Sequence, residues 1–190
     1  MVRTIGGGLL GGLAIYIIGF LFWGTPFSAL AFSRAEGQDS ANLQAALAHG
    51  LSPTGTGVYI IPDPATAEGT ILYGKGPVAQ VFYNNSGFPV TDGSSLIAGL
   101  ILSLAVGVLF AFTLRLIAGN FALRARISVL LALTAVLWAH ISQAVFMHAP
   151  WGYILYLAFS DFVSLAVAGL IAAKVMDWKT SEATDATTMH

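Results

Sequence analysis

Four long apolar runs alternate with polar stretches along the chain, and their lengths predict membrane-spanning helices. They extend from Thr4 to about Phe32, Ser95 to Leu116, Ile127 to Met147 and Trp151 to Met176. At about 1.5 Å per residue, some 20 apolar residues cover a hydrocarbon core of about 30 Å. The clearest case is Gly93 to Leu114, where 22 successive residues include no Asp, Glu, Lys, Arg or His. The pattern predicts an all-α membrane protein of four transmembrane helices with a small extracytoplasmic helix/strand insertion. Its segments are a first helix over 1–32, an insertion over 33–94, helices over 95–117, 127–147 and 151–176, and a tail over 177–190.

The first run has features of a signal peptide, with Arg3 before it and Ala29-Leu30-Ala31 near its end. It is longer than the usual apolar core of 7 to 15 residues, and Trp23 lies well before that cleavage-like site, so a retained helix is expected. Gly8 and Gly12 place a small-residue face where another helix can approach closely. In the second run Ser95, Gly99, Ser103, Gly107 and Ala111 recur every fourth position and form one ridge, predicted to pack against protein. The Ser103 hydroxyl is expected to bond within its own helix.

The insertion is polar. Asp39 or Ser40 is a candidate cap for a short helix with Leu43, Ala46 and Leu47 on one face, ending at Gly50. Gly57 to Ile61 and Val78 to Tyr83 read as strands, stopped by Pro62 and Pro64 and by Asn84-Asn85-Ser86-Gly87. Ile71, Leu72 and Tyr73 are candidates for a third strand. Together these elements predict a small cap on the membrane helices. Gly74 and Gly76 lack the spacing and following Lys-Ser/Thr of a phosphate loop.

Charge supplies the orientation. Arg3, Arg115, Arg124, Arg126, Lys174 and Lys179 fall on one side of a four-span arrangement, and Arg34 and Lys75 on the other. The positive-inside rule then puts both termini in the cytoplasm and residues 33–94 outside. Trp23, Trp151, Tyr153 and Tyr156 are expected near the outer interface and Trp178 near the inner one. The polar tail after Lys179 is expected to lack fixed structure, and His190 within it is too isolated to act as a ligand.

Composition narrows the function classes. With 56% hydrophobic and 9% charged residues, the chain is far below the usual charged fraction of a soluble domain. It has no cysteine, which excludes disulfides, thiolate metal sites and cysteine nucleophiles. A net charge of -1 without a basic cluster gives no footprint for nucleic acid.

The chemistry that remains lies in the hairpin of the last two runs, where His140 and Asp161 stand almost symmetrically about the turn Met147 to Gly152. Antiparallel helices would bring both to one depth, about 10 to 15 Å below the turn, and an ionisable group at that depth requires protein or water as a partner. Gln143 and His148 are candidate supporting residues on the same broad face. Ser142, Ser160 and Ser164 supply nearby hydroxyls. Asp161 can accept a proton from the His140 ring, so one reading is a polar clasp between helices, and another is proton or ion passage or coordination of a bound cofactor. His140, His148 and Asp161 contain enough donors for a metal, yet no HExxH arrangement is present and no metal is expected. No haem-attachment motif or nucleophile elbow is found, so neither a cofactor nor a catalytic residue is expected.

Several short pieces carry a family likeness: Gly57-Val58-Tyr59 with Pro62, Gly76-Pro77 followed by Tyr83, Ala139-His140, and Asp161 followed by Ala168-Gly169-Leu170-Ile171-Ala172-Ala173-Lys174. In these the chain resembles a family of small bacterial inner-membrane proteins with four predicted spans and no assigned role. The resemblance implies the topology and an inner-membrane location, and it transfers no catalytic residue. The expected function is therefore a non-enzymatic accessory or assembly component whose partners are the lipid bilayer and a second copy or another membrane protein. The alternative is a small oligomeric proton-linked transporter or channel, although no inverted repeat is visible.

Overall fold

The computed structural model describes residues 1–188, with side chains described for residues 1–177. Trp178 and His190, for which expectations were stated, lie outside the described side chains and residues respectively. The chain divides into two units, one formed by Met1–Ser33 with the segment from Gly93 onward, and one formed by Arg34–Asp92.

The first unit holds four helices long and apolar enough to cross a membrane. These are α1 (Val2–Trp23), α4 (Gly93–Arg115), the continuous segment Phe121–Phe146, and α7 (Trp151–Thr188), whose apolar part ends at Asp177. The third segment comprises α5 (Phe121–Val136), a π-helical turn (Leu137–Ile141) and α6 (Ser142–Phe146). The helices are arranged in the order α4, α1, α7, α5, with α4 also reaching α7. Thus α5 docks on α7 more than on α4, which precedes it in the chain.

Glycine explains why α1 can occupy the middle. Its sequence Gly-Gly-Leu-Leu-Gly-Gly over residues 7–12 creates two small-residue faces, one toward each neighbour. A Cβ on Gly8 would lie 2.6 Å from the Val108 Cα, and one on Gly12 would lie 2.6 Å from the Leu104 Cα, both on α4. On the other face, a Cβ on Gly11 would lie 2.8 Å from the Ala168 carbonyl oxygen, and one on Gly7 3.2 Å from that of Ala172, both on α7. The pairings run in opposite directions along the sequence, so α1 is antiparallel to both neighbours. Such backbone approach supplies the van der Waals contact that joins helices where the hydrophobic effect does not. At one end Ala111, Leu114, Ala172 and Ala173 form a buried cluster, with Phe110, Ile117, Phe121, Ile127 and Met176 packed around it.

The first helix stops at Trp23, earlier than the apolar run suggested. Thr25 Oγ1 donates to the Leu21 carbonyl at 2.6 Å and accepts from the Phe27 amide at 3.3 Å, starting a 3-10 turn at Pro26–Leu30. Pro26 is tolerated there because the first amides of a helix have no internal acceptor. An aromatic group joins this end of α1 to the start of α7: Trp23 and Tyr156 rings lie 5.2 Å apart, Phe32 and Tyr153 5.7 Å, and the Tyr156 hydroxyl donates to the Phe22 carbonyl at 2.8 Å. Of the four aromatic residues expected near one interface, Trp23, Tyr153 and Tyr156 take part in these contacts, while Trp151 is exposed. At the opposite end α7 continues to Thr188, so the tail is helical through that residue instead of lacking structure. Extending a formed helix adds a hydrogen bond per residue without a new nucleation step.

The second unit contains α2 (Gly37–Leu51), β1 (Gly57–Ile61), α3 (Ala67–Lys75) and β2 (Ala79–Tyr83). The strands pair antiparallel, from Gly57 with Tyr83 to Ile61 with Ala79. Helix α2 begins at Gly37 with Glu36 as N-cap, so Asp39 lies in its first turn and is not the cap. Ile71, Leu72 and Tyr73 lie in α3, which corrects the expected third strand. Thr66 caps that helix by accepting from the Gly69 amide at 3.0 Å, and Gly76 closes it at φ 68, a conformation that favours glycine. These end signals outweigh the β preference of three residues.

Candidate functional site

The hairpin brings its two ionisable residues together. His140 Nε2 lies 2.7 Å from Asp161 Oδ2 across the α5 to α7 packing. Closer to the far end of these helices, Gly169 opens space for the neighbouring helix: a Cβ there would lie 2.5 Å from the Ser128 Cβ and from Phe110 Cε1. With the proton on Nε2, the ring donates to the carboxylate and leaves Nδ1 as an acceptor. Nδ1 is buried and has no hydrogen-bond partner. The pair is unevenly covered, with the His140 side chain 15% exposed and that of Asp161 42% exposed.

His140 is held in the π-helical turn Leu137–Ile141, a feature with no forewarning in the sequence. A π turn adds a residue to one turn of an α-helix and recurs at sites where a side chain is re-aimed. It also changes the phase of the residues beyond it. Gln143, expected beside His140, is exposed and donates instead to its own helix at the Ala139 carbonyl, 2.8 Å away. His148 is exposed in the hairpin turn at φ 53, in the left-handed region that often closes helices. Beside it, the Gln143 carbonyl accepts from the amides of Met147 at 2.9 Å and Ala149 at 3.3 Å. The structure thus joins His140 to Asp161 and leaves both proposed supporting residues outside the pair.

The neighbouring hydroxyls are occupied within their own helices. Ser142 donates to the Trp138 carbonyl, Ser160 to that of Leu157 at 2.9 Å, and Ser164 to that of Ser160 at 2.8 Å. Ser160 Oγ is also 3.5 Å from Asp161 Oδ1, too long for a strong bond. Among the described residues, no group of three His, Cys, Asp or Glu side chains is placed to hold a metal.

The small-residue ridge of α4 engages along part of its length. Gly107 and Ala111 are buried, Gly99 and Ser103 are partly buried, and Ser95 is exposed. The Ser103 hydroxyl donates to the Gly99 carbonyl at 2.8 Å, as its position in a helix suggested. The tightest point is Gly107, where a Cβ would lie 2.3 Å from both Gly12 N and Gly8 O. Gly99 is looser, with only the Tyr16 ring within reach of a Cβ, at 3.9 Å. No protein-family model, curated protein or solved structure matches this chain.

Proposed function

We propose that this chain is a non-enzymatic, multi-pass protein of the bacterial inner membrane, serving as an accessory or assembly component, in which His140 and Asp161 clasp the last two spans together. Both termini would be cytoplasmic and residues 33–94 external, an orientation supported by the distribution of basic residues. The resemblance to small four-span inner-membrane proteins favours the same reading. Its partners are the bilayer and another membrane protein or a second copy.

The observation that carries the clasp is the direct 2.7 Å contact between His140 and Asp161 together with the local bonding of their polar neighbours. Gln143, Ser142, Ser160 and Ser164 each donate to carbonyls of their own helices. A proton pathway needs polar groups that hand a proton onward, whereas a clasp needs only the two residues. Polar contacts between membrane helices contribute about 0.6 kcal/mol on average and up to about 1.7 kcal/mol. The oligomeric proton-linked transporter remains the second reading, favoured by the 42% exposure of Asp161 and the π turn at His140. Reconstitution in vesicles separates the two. The clasp reading expects no proton flux under a pH gradient, and flux abolished by Asp161→Asn would replace it with the transporter.

A further inference from the structure

A second polar site lies at the basic end of the bundle. Arg124, the fourth residue of α5, is partly buried. A guanidinium has five N–H donors. That of Arg124 makes one long bond, from Nη2 to the Ile117 carbonyl at 3.4 Å, while its Nε is buried with no partner. Phe121, three residues earlier on the same helix face, carries the Lys174 ammonium of α7 above its ring, 5.4 Å from the centroid. The first turn of α5 contains no acidic residue, and Asn120 caps it by accepting from the Leu123 amide at 3.1 Å.

Lys174 carried over the Phe121 ring and Arg124 three residues further along the same face of α5, beside the positive end of a helix dipole, form an arrangement suited to a phosphate anion. Arginine supplies planar donors that match phosphate oxygens, and lysine supplies a mobile point charge. We infer that Lys174, held over the Phe121 ring, and Arg124, three residues beyond Phe121 on α5, together bind a phosphate anion, with the headgroup of an anionic phospholipid as the source favoured by their position at the end of membrane-length helices. The lipid source rests on the membrane reading of the chain; the phosphate site itself does not. A headgroup phosphate would accept from the under-used guanidinium while its acyl chains follow the exposed apolar surface of α5, where Leu123 and Leu130 are exposed.

The test uses the full chain purified in a neutral detergent. Its unfolding midpoint is followed while phosphatidylglycerol, phosphatidylcholine or inorganic phosphate is added. Phosphatidylglycerol should raise the midpoint in a concentration-dependent manner, and phosphatidylcholine should not. Arg124→Gln and Lys174→Gln should each weaken the apparent affinity about fivefold, and Arg126→Gln, which removes an exposed charge nearby, should change it little. If Arg124→Gln does not fold, Lys174→Gln decides. Equal weakening by all three variants would indicate diffuse attraction and overturn the site, as would no response to either anionic probe, phosphatidylglycerol or inorganic phosphate. A response to inorganic phosphate that equals the lipid response would retain the phosphate site and overturn the lipid source. Partition into membranes, measured separately by the need for detergent to extract the chain, tests the membrane reading independently of either result.

Discussion

Replacing Gly107 by alanine should damage this protein far more than the size of a methyl group suggests. The new Cβ would begin 2.3 Å from Gly12 N and Gly8 O and 2.6 Å from the Gly12 Cα. All three are backbone atoms, so no rotamer change relieves the clash. Ordinary contact begins at 3.4 Å, which requires α1 and α4 to separate locally by about 1 Å. A gap of about 0.5 to 1 Å already forfeits a quarter to a half of the dispersion attraction between facing atoms. Overpacking a tight site commonly costs about 1 to 3 kcal/mol, and this seam belongs at the upper end because neither backbone can give way. Gly99→Ala on the same ridge is the internal control, since its Cβ would meet only the Tyr16 ring at 3.9 Å. Thermal or denaturant unfolding in mild detergent should therefore show a loss of about 3 kcal/mol for Gly107→Ala and less than about 1 kcal/mol for Gly99→Ala. Equal stability of the two variants would refute the backbone contact between α1 and α4.

Three further outcomes are expected. Reporter fusions at Asn120 and after Lys179 should report the cytoplasm and one at Asp63 the exterior; a cytoplasmic signal at Asp63 would reverse the proposed orientation. Tyr156→Phe removes the 2.8 Å bond to the Phe22 carbonyl while keeping the ring, and should lower unfolding stability by about 1 kcal/mol; an unchanged stability would show that this bond contributes nothing net. Ser103→Ala should alter stability by less than about 0.5 kcal/mol, because that hydroxyl bonds only within its own helix; a larger loss would point to a contact across helices.

The parts of this fold legible in the sequence are those fixed by length and by symmetry about a turn. A short turn between two helices brings residues equally distant from it to one depth, and this is why His140 and Asp161 could be paired before their 2.7 Å contact was seen. The approach of Gly8 and Gly12 to another helix was visible as small-residue spacing. The second face of α1, Gly7 and Gly11, was not distinguished, because adjacent glycines point to different neighbours whose identities depend on packing order. An unbroken 3.6-residue period places Gln143 beside His140. The π turn at Leu137–Ile141 breaks that period, and no residue type announces it. Ile71 to Tyr73 were drawn to a strand by local preference, while the helix-ending signals of Thr66 and Gly76 on either side prevailed. In the sequence Arg124 and Lys174 read only as topology signals, since the approach of Lys174 to Phe121 requires α5 and α7 to be packed together.

The central claim is that His140 and Asp161 act on each other as a structural clasp, and a double-mutant cycle tests it most directly. Unfolding free energies in mild detergent would be measured for the wild type, His140→Ala, Asp161→Ala and the double replacement. The clasp predicts that each single change destabilises the protein and that the double change costs less than their sum by about 1 kcal/mol, because neither partner is then left alone. Strictly additive losses would contradict it.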